Sequence, residues 1–166
     1  MKTFNECMKE YQKQLQQGYI QQAYQGLMEY FNALRLYFKK NHPNDSVSSS
    51  VYYGYMDMTY FAFVSDFLKT RKLKIAIVFL HEQFRFEVWL SGSNKKVQTK
   101  CWNLIKNNNW TKYYTPSTTK GVDSIIEHTI VDDPKFDNLD KLTKQIHEQT
   151  LNFAKDVQNF LSKHPD

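Results

Sequence analysis

An α+β fold is predicted: an antiparallel three-stranded meander plus a fourth strand, with helices packed on the sheet, in the order α-α-β-β-β-α-β-α. Three observations carry it. Residues 51–90 are rich in aromatic and β-branched side chains, the composition of strands. Residues 84–90 (FRFEVWL) alternate, with Phe84, Phe86, Val88 and Leu90 at one parity and Arg85, Glu87 and Trp89 at the other. Residues 138–161 keep Leu139, Leu142, Ile146, Phe153, Val157 and Phe160 at the three-four spacing of an amphipathic helix.

In chain order, Thr3 is placed to cap a first helix carrying Phe4, Met8, Tyr11 and Leu15, which Gly18 stops. A second helix over 20–40 aligns Ile20, Ala23, Tyr24, Leu27, Phe31, Leu34 and Phe38, and ends in basic residues before His42 and Pro43. Residues 44–50 read as a polar linker. Strands over 51–64 and 72–80 follow, separated by the polar break 65–71. The connection 81–83 is too short for a crossover, so 72–80 and 84–91 must be antiparallel. Both parities of 72–80 are largely apolar, which predicts a central strand covered on both faces. Ser93 is placed to cap a helix through Asn107 with Val97, Cys101, Leu104 and Ile105 on its apolar face. The loop after it holds Trp110, Tyr113 and Tyr114, rings suited to lying over the core. Residues 123–131 (DSIIEHTIV) form the fourth strand by their Ile, Thr and Val content, broken by Asp132, Asp133 and Pro134.

The length fits one domain, 1–166, built from a helical pair (3–40), the strand meander (51–91), a helix–strand unit (94–131) and the C-terminal helix (138–161). No apolar run approaches the roughly 18 residues of a membrane span, and the N-terminus has no hydrophobic signal segment, so no membrane contact and a soluble, cytoplasmic protein are expected. Cys7 and Cys101 form no paired motif and read as reduced thiols on helix core faces. The formal charge of +5 is uneven: residues 69–120 carry eleven Lys and Arg against Glu82 and Glu87, a balance of +9, and the remainder sums to −4. Such a basic middle can attract nucleic acid, with Lys95, Lys96, Lys100, Lys106 and Lys112 as the phosphate contacts. The same lysines also read simply as the wet side of one helix and the loop after it.

The segments GYMDMTYF (54–61), LKIAIVF (73–79), FRFEVWL (84–90) and TKGVDSIIE (119–127), in this element order, resemble a family of small bacterial proteins with no assigned function. That resemblance spans nearly the whole chain and implies kinship without an activity. The C-terminal two-thirds is also similar to a domain of unknown function in defence- and restriction-associated proteins, in which a strand with a central Glu precedes a helix, a Trp and another strand. The core order α-β-β-β-α-β also occurs in restriction-endonuclease-like nucleases, which need an Asp and then Glu-x-Lys so that two carboxylates hold a metal and the Lys orients the attacking water. Here the tripeptide is Glu87-Val88-Trp89, with Trp where Lys is required, and residues 72–80 contain no Asp.

Other chemistries lack their motifs. The five His form no H-x-H or H-E-x-x-H pair, and no P-loop, G-x-S-x-G or G-x-G-x-x-G is present, so no metal site, no cofactor and no catalytic residue is expected. Asp57, between Met56 and Met58, reads as a buried strand carboxylate that must have a partner. By parity it would share a face with Tyr53 and Tyr55, and with Arg85, Glu87 and Trp89 on a neighbouring strand these residues are the candidate ligand-binding set. The favoured reading is a non-catalytic binding or interaction module for a protein or small-molecule partner. The alternative is a nucleic-acid-associated protein on a degenerate nuclease-like core.

Overall fold

The computed structural model describes residues 1–165. Its helices are α1 (Phe4–Gln16), α2 (Tyr19–Asn41), α3 (Asp66–Thr70), α4 (Lys95–Asn107) and α5 (Leu139–Ser162). Its strands are β1 (Ser46–Val47), β2 (Met58–Val64), β3 (Leu73–Leu80), β4 (Arg85–Gly92) and β5 (Ile126–Asp132). They form one sheet in the order β1-β2-β3-β4-β5 with every neighbouring pair antiparallel, so the fold is α+β.

Local sequence accounts for the long elements. Thr3 and Glu6 close a reciprocal capping box at the start of α1, Asn94 caps α4 in place of Ser93, and Asn138 caps α5. The expected order gains two short elements. Ser46–Val47 pairs with the edge of β2 where a linker was expected, and the break at 65–71 holds α3, capped by Ser65 and anchored by Leu68. The strand expected over 51–64 starts only at Met58, because Gly54 and Met56 take left-handed backbone angles (φ 66° and 61°) that end an extended run. A Cβ at Gly54 would collide with the Met58 carbonyl and the Asp57 carboxylate, so this turn requires glycine. Upstream of the turn, Tyr52 alone pairs back onto Tyr60. β5 starts at Ile126 instead of 123, since the Gln98 amide takes the carbonyls of Val122 and Ser124.

The helices collect on one face of the sheet. Phe61, Phe63, Ile75, Ile77, Phe79, Phe86, Val88 and Leu90 share that face, and the buried apolar residues of α2, α3, α4 and α5 all join them in one cluster. Phe31 sits at its centre, fully buried, edge-on to Phe61 and Phe79 and stacked on Phe86 at 5.7 Å. Phe38 meets Phe61 and Phe63 beside it. The expected cover on both faces is therefore not found. Ala62, Ala76 and Val78 point the other way, are buried, and lie outside the cluster. Neighbouring side chains screen them, Val78 lying between Tyr60 and Glu87 in its cross-strand row.

Phe31→Ala removes the ring that touches three strands, and should lower the unfolding free energy by ~3–5 kcal/mol in urea denaturation. Leu36→Ala, on the exposed side of the same helix, should change it by no more than about 0.5 kcal/mol.

Candidate functional site

Register places the functional surface. Across the helix-free face, Tyr60 of β2, Val78 of β3 and Glu87 of β4 form one row, and Ala62, Ala76 and Trp89 form the next. The small Ala76 beside two larger rings leaves a depression of ≈ 370 Å³ with Ala76 and Val78 in its floor. Tyr60 and Trp89 stand on its two sides, and Tyr52, held by its backbone bridge, sets its ring 4.9 Å from that of Tyr60. Lys74 closes one end, and among the described residues its ammonium has no hydrogen-bonding or ionic partner. Its lining continues through Asn94, Lys95, Gln98 and Asp123, from the start of α4 and the chain before β5. Gly92 makes that junction possible, since a Cβ there would sit 2.7 Å from the Gln98 backbone nitrogen. Burial raises the Tyr60 hydroxyl above its usual range, with Tyr52 and Asp123 adding to the effect.

Beside the groove, Glu87 is only 3% exposed and every bond it accepts is accounted for. Arg85 donates to Oε1 through Nε at 2.7 Å and through Nη2 at 2.6 Å, and Trp89 Nε1 donates to Oε2 at 2.6 Å. A bulge between Phe86 and Glu87 sets Thr129 opposite Glu87, and its hydroxyl donates to Oε1 at 3.4 Å. The carboxylate is thus a structural clamp that orients both the Arg85 and the Trp89 side chains.

Of the residues singled out in the sequence, Arg85, Glu87 and Trp89 come together as their alternation required. Asp57 does not join them and is not buried. It is exposed in the turn before β2, where its carboxylate accepts the Tyr55 N–H at 2.8 Å, and that bond holds it below the usual carboxylate range. Tyr55 is 95% exposed, and Tyr53 accepts a bond from Asn32 of α2. Three of the five lysines turn to separate partners. Lys95 donates to the Val122 carbonyl and faces Asp123, Lys106 lies over the Trp102 ring, and Lys112 pairs with Asp156 of α5 at 2.7 Å. Lys112 and the Tyr113 hydroxyl together hold the Asp156 carboxyl low. Trp110 stacks on Phe160 at 4.4 Å and Tyr113 packs on Phe153, as rings over a core do, while Tyr114 is exposed. Sequence reasoning missed Tyr52, Tyr60 and Lys74. The signal was Lys74, a charge sharing parity with Ala76 and Val78 in a strand assumed to be covered on both sides.

A second polar cluster lies on the helical side. His42 and His147 face each other through Nε2 atoms 2.8 Å apart, with Asp45 3.5 Å from the other nitrogen of His42 and the rings of Tyr37, Phe38 and Phe63 around them. Burial lowers the His147 ring below the usual imidazole value, and the neighbouring His42 lowers it further against the opposing pull of Glu148. Burial also lowers His81 and His128. Among the described residues no group of three or more His, Cys, Asp or Glu is placed to hold a metal ion.

Two measurements follow from this geometry. Glu87→Ala strands the Trp89 and Arg85 donors and should cost ~1–3 kcal/mol in denaturant unfolding, the lower part of the range applying because Arg85 is 37% exposed and can reach water. Asp57→Ala, which loses one turn contact at the surface, should cost less. As pH falls, the unfolded chain protonates its histidines near the ordinary value of about 6.5, before the folded chain protonates His81, His128 or His147. Stability is therefore full above that pH and declines below it. The melting temperature should drop between roughly pH 7.5 and pH 5, and His147→Phe should narrow the drop.

Residues 4–161 match the family model described as Domain of unknown function (DUF7000), so the chain belongs to that family, as its resemblance implied. No curated protein and no solved structure matches it. Among the described residues no helix is long and apolar enough to cross a membrane.

Proposed function

We propose that this member of the DUF7000 family is a non-catalytic binding module whose helix-free sheet face takes a small ligand bearing a flat ring and an anionic group. One observation carries the reading: the groove between Tyr60 and Trp89 ends at Lys74, an ammonium without a partner among the described residues. Ring faces at the sides suit stacking on a planar group, and the cation at the end suits an anion. A second ammonium, Lys95, also lines the groove, opposed by the single carboxylate of Asp123, so the lining keeps a positive balance. The volume of ≈ 370 Å³ lies within the range of small-molecule sites.

The non-catalytic part rests on Glu87. General acid or base work, or metal ligation, needs a carboxylate oxygen free to take a proton or an ion, and both of its oxygens already accept bonds from Arg85 and Trp89. A nucleic-acid role on a nuclease-like core finds less support, since three of the five lysines that would follow a phosphate backbone are engaged separately by Val122, Trp102 and Asp156.

Anilinonaphthalene sulfonate, a planar aromatic anion, serves as the probe. The folded protein should enhance its fluorescence saturably. Lys74→Ala should weaken binding by about tenfold, the loss of one charge-assisted contact, and Tyr52→Ala should weaken it as well. Both variants should unfold as cooperatively as the wild type, which separates groove binding from dye uptake by a loosened core. Binding unchanged in both variants would remove the sheet face as the site.

A further inference from the structure

We infer that α1 is a docking surface for a second copy of this chain. The helix runs thirteen residues from its capping box and buries none of them. Phe4 is 81% exposed, Met8 45% and Tyr11 55%, with Tyr19 and Ile20 of α2 also exposed just beyond the Gly18 turn. The one side-chain hydrogen bond between α1 and α2 among the described residues is from Gln21 to the Leu15 carbonyl. A helix of this length is marginal in water unless an apolar face is packed, so the stripe implies a covering surface.

The sequence of the stripe points to an identical partner. Phe4, Met8, Tyr11 and Leu15 are spaced four, three and four apart, the repeat of a coiled-coil seam. The positions flanking that seam are Asn5, Cys7, Gln12 and Gln14, all uncharged, so a second α1 meets no like charge across it in either orientation. The charged residues Glu6, Lys9, Glu10 and Lys13 fall on the outer side and cancel. A helix that lies on an anionic membrane carries a basic polar face, which this one lacks.

Surface area agrees. A compact monomer of 19.8 kDa exposes roughly 8,600 Å², whereas this chain exposes 10588 Å². The excess exceeds the ~800 Å² that each partner contributes to a standard interface. A two-fold pairing of one patch with itself is also the commonest way such surface is covered.

The test is sedimentation equilibrium of the full chain across the micromolar range, with a reductant present so that exposed Cys7 forms no disulfide. The wild type should rise with concentration from the mass of one chain toward that of two. Met8→Glu and Tyr11→Glu, each at an exposed position that the monomer does not bury, should hold the mass at one chain with an unchanged thermal transition at low concentration. A wild type that stays at one chain throughout would overturn the inference, as would a dimer that survives both substitutions. Flotation with vesicles of phosphatidylcholine and phosphatidylglycerol should leave the protein behind. Recruitment of the wild type but not of Met8→Glu would overturn the second copy in favour of a lipid surface.

Discussion

The structure depends on one asymmetry, the concentration of aromatic burial on a single face of the sheet. Phe31 reaches three strands at once, and Phe38, Phe61, Phe63, Phe79 and Phe86 fill the space around it, so α2 and α5 have their cover on that side. Hydrophobic burial scales with the area removed from water, and the four helices packed on one face already remove most of the large side chains the chain has to offer. The other face is left to its own residues, which is why it holds alanines, tyrosines, a lysine and a clamped glutamate.

That division also explains the state of Glu87. A carboxylate on a sheet face with no helix above it would ordinarily keep its water. Here the alternation that sends Phe86 and Val88 into the core sends Arg85, Glu87 and Trp89 outward together, and their side chains fold over the carboxylate until little of it is exposed. A buried charge persists only when its lone pairs are met, and the bulge supplies Thr129 as a further donor. The clamp in turn holds the Trp89 ring at the edge of the groove. A residue that looks catalytic by strand order is thus one that shapes a surface.

Tyr30 and Tyr113 show how the helical layer closes at its margins. The Tyr30 hydroxyl, on α2, reaches Thr143 of α5, and burial pushes it up to about 12. Tyr113, in the loop before β5, wraps the sheet edge to reach Asp156 of α5, and burial with the hydrogen bond to that carboxylate pushes its hydroxyl well above the usual range. Each polar tip finds a helix-borne partner while the ring fills space between layers.

Periodicity decided what the sequence could decide. The alternation in 84–90, the three-residue connection before it and the helical stripes from Phe31 to Phe38 and from Leu139 to Phe160 gave the α+β class, the antiparallel β3–β4 pair and the helix bounds to within a residue or two, because each is fixed by neighbours a few positions apart. Composition could not show that residues 53–56 turn away from the sheet, since the left-handed angles at Gly54 and Met56 that expose the Asp57 side chain are invisible to an apolar-run reading. Nor could it show which face stays bare. Both parities of β3 are apolar, and whether a helix or only Tyr60 and Trp89 cover Ala76 and Val78 depends on where α2, α4 and α5 pack, contacts between residues far apart in the chain. The spread of Lys95, Lys106 and Lys112 onto three separate partners has the same origin: charge can be counted along a sequence, but only the tertiary structure brings charges together or holds them apart.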